Sequence, residues 1–155
     1  MLTRKTIYGI RALANIARSG KRSLSVAEIA QREGIPFKFL ALILSDLRQR
    51  GIVRGQRGPV GGYQLAVAPE HLKIADVVET LGGPLFPFAC LAREPHDERC
   101  RECPGAHACP ARQALSGACA AAYRALGSLA LSDILADLPA SPVNELDLGL
   151  GPGSR

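Results

Sequence analysis

Apolar positions in the first fifty residues recur with a helical period, and glycine and proline punctuate them. Ile7, Ile10, Ala14 and Ala17 lie three or four apart, which predicts a helix over 3–18 with these residues on its buried side. Arg4, Lys5, Arg11 and Arg18 take other positions, and Gly20 stops the helix. Ser25-Val26-Ala27-Glu28 has the form of a capping box, in which the serine hydroxyl accepts from the N–H three residues on and the glutamate reaches back. A second helix then runs to about residue 33. Gly34 suits the left-handed position that closes it, and Pro36 suits the first turn of a third. The third helix is predicted over 36–50, with Leu40, Ile43, Leu44 and Leu47 buried and Gly51 at its end. Two helices joined by a tight glycine turn form a helix-turn-helix.

The period then changes to that of strands. Residues 52–53 and 63–67 read as two short strands around a glycine-rich tip that holds Arg54, Arg57 and Pro59. A basic hairpin directly after a helix-turn-helix is a wing: its glycines let backbone approach a phosphate, and an arginine at its tip can enter a minor groove. Ile74, Val77, Val78 and Leu81 define a short fourth helix closed by Gly82-Gly83-Pro84. Residues 85–110 show no period. A long helix follows over about 111–126, with Ala111, Leu115, Ala118, Ala122 and Leu126 on one stripe and Gln113, Ser116 and Arg124 facing away. Its small residues would allow a partner helix to approach closely. A last short helix is predicted over 129–138, and the Pro- and Gly-rich tail, 139–155, is expected to be disordered. The fold class is mainly α with a small β-hairpin. It divides into a winged helix-turn-helix (1–83), a cysteine-rich loop (84–110), a long helix plus a terminal short one (111–138) and the tail.

Composition permits a packed core: 47% of the 155 residues are hydrophobic and 21% charged. No apolar run is long enough to span a bilayer, and the start lacks the pattern of a signal peptide, so a cytoplasmic protein without membrane contact is expected. The net charge of +5 is unevenly spread. Residues 1–67 hold twelve Lys/Arg against three Asp/Glu, whereas 68–155 hold seven against eleven. A basic first half points to a polyanion, since each Lys or Arg set against a phosphate releases counterions. No nucleophile–base pair, phosphate-binding loop or acid pair suggests an enzyme. Four of the five cysteines, Cys90, Cys100, Cys103 and Cys109, lie within twenty residues. In a reducing compartment such a cluster points to metal or redox chemistry rather than a disulfide framework. Cys119, within the long helix, reads as a small buried packing residue. His96 and His107 read as solvated loop residues.

The segments LTRKTIYGIRAL, SVAEIAQREGIPFKFLALILSDLRQRGIV and RGPVGGYQL, with the cysteine loop and the helix after it, resemble the Rrf2 (Rrf-two) family of bacterial regulators over roughly residues 2–138. The resemblance implies a homodimer in which the long helices cross and two winged domains contact successive major grooves of a near-palindromic site. It also implies an iron-sulfur cluster, 2Fe-2S or 4Fe-4S. Cys103 and Cys109, five residues apart, match the second and third ligands, and Cys90 or Cys100 supplies the first. Thiolates suit such clusters because soft sulfur donors match iron. The relatives' usual fourth ligands are replaced by Arg112 and Ile7, which leaves Cys100 as a candidate fourth ligand. Zinc is disfavoured because only one CxxC is present.

For DNA, the third helix is expected in the major groove, with Lys38 near its start reaching a base or phosphate, and Arg48 and Arg50 touching phosphates. Leu42, where many relatives carry a polar residue, can touch a thymine methyl but cannot read a hydrogen-bond pattern. Thr3, Arg4, Lys5 and Ser25 lie where relatives contact the backbone, and Arg54, Arg57, Gly58, Gly61 and Tyr63 belong to the wing, Tyr63 packing the hairpin. The function expected is a DNA-binding regulator, a repressor, whose affinity is controlled by the cluster. Two alternatives stand beside it: a cluster-free regulator controlled by a thiol or a partner protein, and an iron-sulfur carrier.

Overall fold

The computed structural model describes residues 2–58, 61–86, 88–91 and 109–137. Cys100, Cys103, His96, His107, Pro59 and the tail 139–155 lie outside the described residues.

Among the described residues, six helices and one hairpin follow in the order α1 (Arg4–Arg18), α2 (Val26–Glu33), α3 (Phe37–Gln49), β1 (Val53–Gln56), β2 (Gly62–Leu65), α4 (Ile74–Gly82), α5 (Pro110–Ser128) and α6 (Leu131–Asp137), with a 3-10 turn at Ala89–Leu91 before α5. Thr3 caps α1 through its side chain, which accepts from the Thr6 N–H at 3.3 Å. The capping box at α2 is complete: the Glu28 N–H donates to Ser25 Oγ at 3.1 Å, and the Ser25 N–H donates to Glu28 Oε2 at 2.8 Å. Gly34, at φ 62°, takes the left-handed position that ends α2. Thus the tight turn of the helix-turn-helix forms as the sequence predicts.

The core is built where α1, α3 and α4 meet. Leu13 and Ile16 of α1, Leu40, Ile43, Leu44 and Leu47 of α3, and Val77 and Val78 of α4 are all but fully buried, joined by Ile29 of α2 and Leu131 of α6. The expected stripe on α1 is corrected. Its buried face runs through Thr6, Gly9, Ala12, Leu13, Ala14 and Ile16, so Ala14 is buried as expected, whereas Ile7 is 54% exposed and Ile10 and Ala17 are only partly covered. The reason is the approach of α4: a Cβ on Gly9 would stand 2.0 Å from Leu81 Cδ1, so the helix turns its smallest residue toward α4.

The hairpin pairs antiparallel in the register Val53↔Leu65, Arg54↔Gln64, Gly55↔Tyr63 and Gln56↔Gly62. β1 therefore extends past the predicted 52–53 into the glycine-rich stretch. The hairpin is anchored through β2 to the loop before α2 by a two-way bridge. Leu24 N–H donates to the Tyr63 carbonyl at 3.0 Å, and Tyr63 N–H donates to the Leu24 carbonyl at 2.7 Å. Gly62 makes this possible, because a Cβ there would lie 2.4 Å from the Leu24 carbonyl oxygen.

At its C-terminal end α5 is stitched to α4. Ile74 N–H donates to the Leu129 carbonyl at 3.0 Å, and Leu131 N–H donates to the Leu72 carbonyl at 2.9 Å. No helix among the described residues is long and apolar enough to cross a membrane.

Candidate DNA interface and cysteine site

With Leu40, Ile43, Leu44 and Leu47 turned inward, α3 presents Lys38, Leu42, Ser45 and Gln49 on the opposite side, spaced at helical period. Lys38, Leu42 and Gln49 are exposed, Leu42 at 62%. Ser45 and Gln49 are absent from the sequence-based candidates, although continuing Lys38 and Leu42 along the helix by three and then four residues reaches both. Phe37, 55% exposed, stands at the head of the same helix.

The remaining predicted contacts surround this face. Lys5 Nζ and Asp46 Oδ2 form an ion pair at 2.6 Å, so the start of α1, with Thr3 and Arg4, is held beside α3. The same ion pair engages the Lys5 ammonium within the protein. The hydroxyl of Thr3 and both the hydroxyl and N–H of Ser25 are likewise used in helix caps. Arg48 is exposed in the last turn of α3, with its Cδ about 4.0 Å from where a Cβ on Gly55 would sit, and Arg50 is exposed at the helix end. On the hairpin, Arg54 donates to Gln64 Oε1 at 3.2 Å, Gln64 Nε2 donates to the Lys21 carbonyl at 2.5 Å, and Arg57 and Gly58 are exposed at the tip. Tyr63 is half-buried and packs against the core. Gly61 is needed by the hairpin itself, since a Cβ there would lie 2.6 Å from the Gln56 carbonyl oxygen.

Each of the three acids in residues 1–67 is already paired: Glu28 with Arg22 at 2.5 Å, Glu33 with Arg11 at 2.9 Å, and Asp46 with Lys5. The Ser25 N–H holds the Glu28 carboxyl below its ordinary range, against the effect of burial, and the Ser25 hydroxyl, Arg22 and Arg32 act in the same direction. Nine further lysines and arginines give the domain its positive field.

Of the cysteines, Cys109 is the N-cap of α5, followed by Pro110 in the first turn. As a soft sulfur donor at the end of the cysteine loop, Cys109 has the chemistry of an iron ligand. Cys90 sits half-buried on the 89–91 turn. Cys119 is 5% exposed. Among the described residues no three His, Cys, Asp or Glu side chains come together as a metal site.

A helix-turn-helix with a basic hairpin, closed behind by a long helix, matches known proteins along nearly the whole chain. The profile of the Rrf2 family, described as iron-dependent transcriptional regulator, matches residues 2–137. The chain belongs to the Rrf2 family. An rrf2-like HTH-type transcriptional regulator of Rhodobacter capsulatus is 36% identical over 140 residues, covering 88% of this chain and 93% of that protein. Protein rrf2 of Nitratidesulfovibrio vulgaris is 34% identical over 148 residues, covering 95% of each. Among solved structures, CymR, the global cysteine regulator of B. subtilis, superposes with a TM-score of 0.71 at 26% identity, covering 90% of this chain and 98% of that one. This Rrf2 protein is accordingly a DNA-binding transcription regulator with a winged-helix fold, not an enzyme.

Proposed function

We propose that this Rrf2 regulator acts as a homodimer whose affinity for duplex DNA is set by an iron-sulfur cluster held in the cysteine loop. The observation that carries the reading is the run Cys100-x2-Cys103-x5-Cys109, which ends on the N-cap of α5 in a family described as iron-dependent. The ligands are drawn from Cys90, Cys100, Cys103 and Cys109. When bound, the cluster supplies a centre sensitive to redox state and to iron supply.

The chain's own residues carry the effect outward. Cys109 ties the loop to the start of α5, and the other end of α5 is bonded to the start of α4. Helix α4 packs on α1 where Leu81 meets Gly9, and Ile43 of α3 lies beside the same glycine. A shift of α5 therefore reaches the recognition helix through packed elements. In a dimer, two recognition helices must match half-sites about 34–36 Å apart, so a small shift changes affinity strongly. Support for the dimer comes from α5 itself, where Ala111, Leu115 and Ala118 of the predicted stripe are exposed in the single chain.

At the interface, Lys38, Arg48, Arg50, Arg54 and Arg57 neutralise phosphates, with Arg57 reaching into the minor groove. Leu42 meets a thymine methyl, and Gln49 offers a hydrogen-bonding edge on the same face. Binding represses transcription by occupying the operator.

A second reading, a cluster-free regulator controlled by a thiol or a partner protein, is favoured by the likeness to the cysteine regulator CymR. Anaerobic purification with iron and sulfide analysis separates the two. The cluster reading expects a coloured, iron-containing protein that loses colour and iron in Cys103→Ser, and an operator affinity that differs between loaded and stripped protein. A colourless, iron-free anaerobic protein overturns it.

A further inference from the structure

From Phe37 to Leu44 the sequence of α3 reads FKFLALIL, and Lys38 is the one polar side chain in it. Leu40, Ile43 and Leu44 are buried in the core. Phe39 also packs against the core, edge-on to Tyr8 with ring centroids 5.9 Å apart. Phe37 and Leu42 stay outside it, 55% and 62% exposed, although large apolar side chains gain most from burial. Helical geometry sets Lys38 between them, with Phe37 about 100° to one side and Leu42 about 40° to the other. The neutral hydrogen-bonding side chains of the helix, Ser45 and Gln49, come only in its second half.

In a recognition helix the N-terminal residues are the ones that meet base edges. Polar side chains read donors and acceptors there, but an apolar side chain has one partner in the major groove, the methyl group on C5 of a pyrimidine. We infer that the first half of α3 reads pyrimidine 5-methyl groups through Leu42 and Phe37, and therefore accepts 5-methylcytosine in place of thymine. The inference rests on the placing of α3 in the major groove and extends it from thymine to a modified base. Both bases carry their methyl on C5. At C4 thymine presents an acceptor and cytosine a donor, and neither Leu42 nor Phe37 can form a hydrogen bond that tells the two apart. Lys38, between them, donates to guanine or to a phosphate. DNA methylated on cytosine at these positions is thus a tighter ligand than the same sequence without the methyl.

The test selects a binding site from random duplex DNA with the full-length protein, then measures affinity by fluorescence anisotropy for sites changed at one base pair. Deoxyuridine in place of thymidine removes only the methyl. At one or more positions it should weaken binding about fourfold, the value of one buried methyl group. At the same positions a cytosine–guanine pair should bind more weakly than its 5-methylcytosine counterpart by a similar factor. Leu42→Ser or Phe37→Ser should erase the methyl dependence. Equal affinity for thymine and uracil at every position overturns the inference. So does a cytosine methyl without effect where the thymine methyl has one, or a methyl dependence that both variants retain. The base comparisons use the unsubstituted protein, so they stand whether or not the variants fold. If Lys38→Ala weakens binding while thymine and uracil remain equal, α3 is still the recognition helix and only the methyl reading fails. If Lys38→Ala, Leu42→Ser and Phe37→Ser all bind as the parent does, the placing of α3 in the groove fails and the inference falls with it.

Discussion

At the scale of single residues, charge and capping are the two quantities that can be tested directly. Arg57 is exposed at the tip of the hairpin. Arg57→Ala should weaken binding to specific and unrelated DNA alike and reduce the slope of log K against log salt by about 1, as expected for one lost phosphate contact. Gel-shift titrations at several salt concentrations read both effects, and an unchanged slope would remove Arg57 from the interface. Glu28 links capping to pH. Its folded carboxyl lies below the ordinary value of 4.5, chiefly through the Ser25 N–H. The stabilisation is therefore fully present above about pH 4.5 and is lost as pH falls through the lowered folded value. Thermal melts should show Glu28→Gln less stable than the parent at neutral pH, with the gap closing in acid; a gap independent of pH would refute the account. Ser25→Ala, which removes the hydroxyl half of the box, should cost about 1 kcal/mol at neutral pH.

At the scale of elements, the helix-turn-helix was legible because its signals are local. The Ser25–Glu28 box, Gly34 and the stripe Leu40, Ile43, Leu44 and Leu47 each act within one or two turns of chain. The hairpin was legible in kind but not in extent. Its register depends on the bridge between Leu24 and Tyr63, nearly forty residues apart in sequence. Gly61 and Gly62 look in the sequence like flexible tip residues, yet both are demanded by close backbone contacts within the protein. Gly62→Ala should therefore destabilise the domain by about 1–3 kcal/mol through overpacking, measured by chemical denaturation. A neutral effect would mean that the bridge to Leu24 is dispensable. The buried face of α1 was misjudged for a related reason. Its apolar residues cover a wide arc, and only the approach of Leu81 to Gly9 selects which part faces inward.

At the scale of the whole molecule, the division between a basic DNA-binding part and the helix behind it follows from the charge distribution. The three acids of the first part are spent on Arg22, Arg11 and Lys5, which leaves the remaining cations to set its field. The stripe on α5 bears on assembly. Leu115 is 48% exposed in the single chain, and burying it against a second copy would remove that area from water. Leu115→Asp should shift the protein from dimer to monomer in light scattering and weaken operator binding, while the isolated chain keeps its helical content. A dimer that persists would place the interface elsewhere.

The sequence by itself determined the order of helices, the turn between α2 and α3, the basic hairpin and the cysteine spacing, because each depends on neighbours within a few residues. Only the tertiary structure decided which side of α1 is buried, why Gly61 and Gly62 stand in the hairpin, that Lys5 is tied to Asp46, and that Cys90 shares a cleft with Cys119 and Tyr123. Those features arise where distant segments press together, and no local period or motif encodes the distance between them.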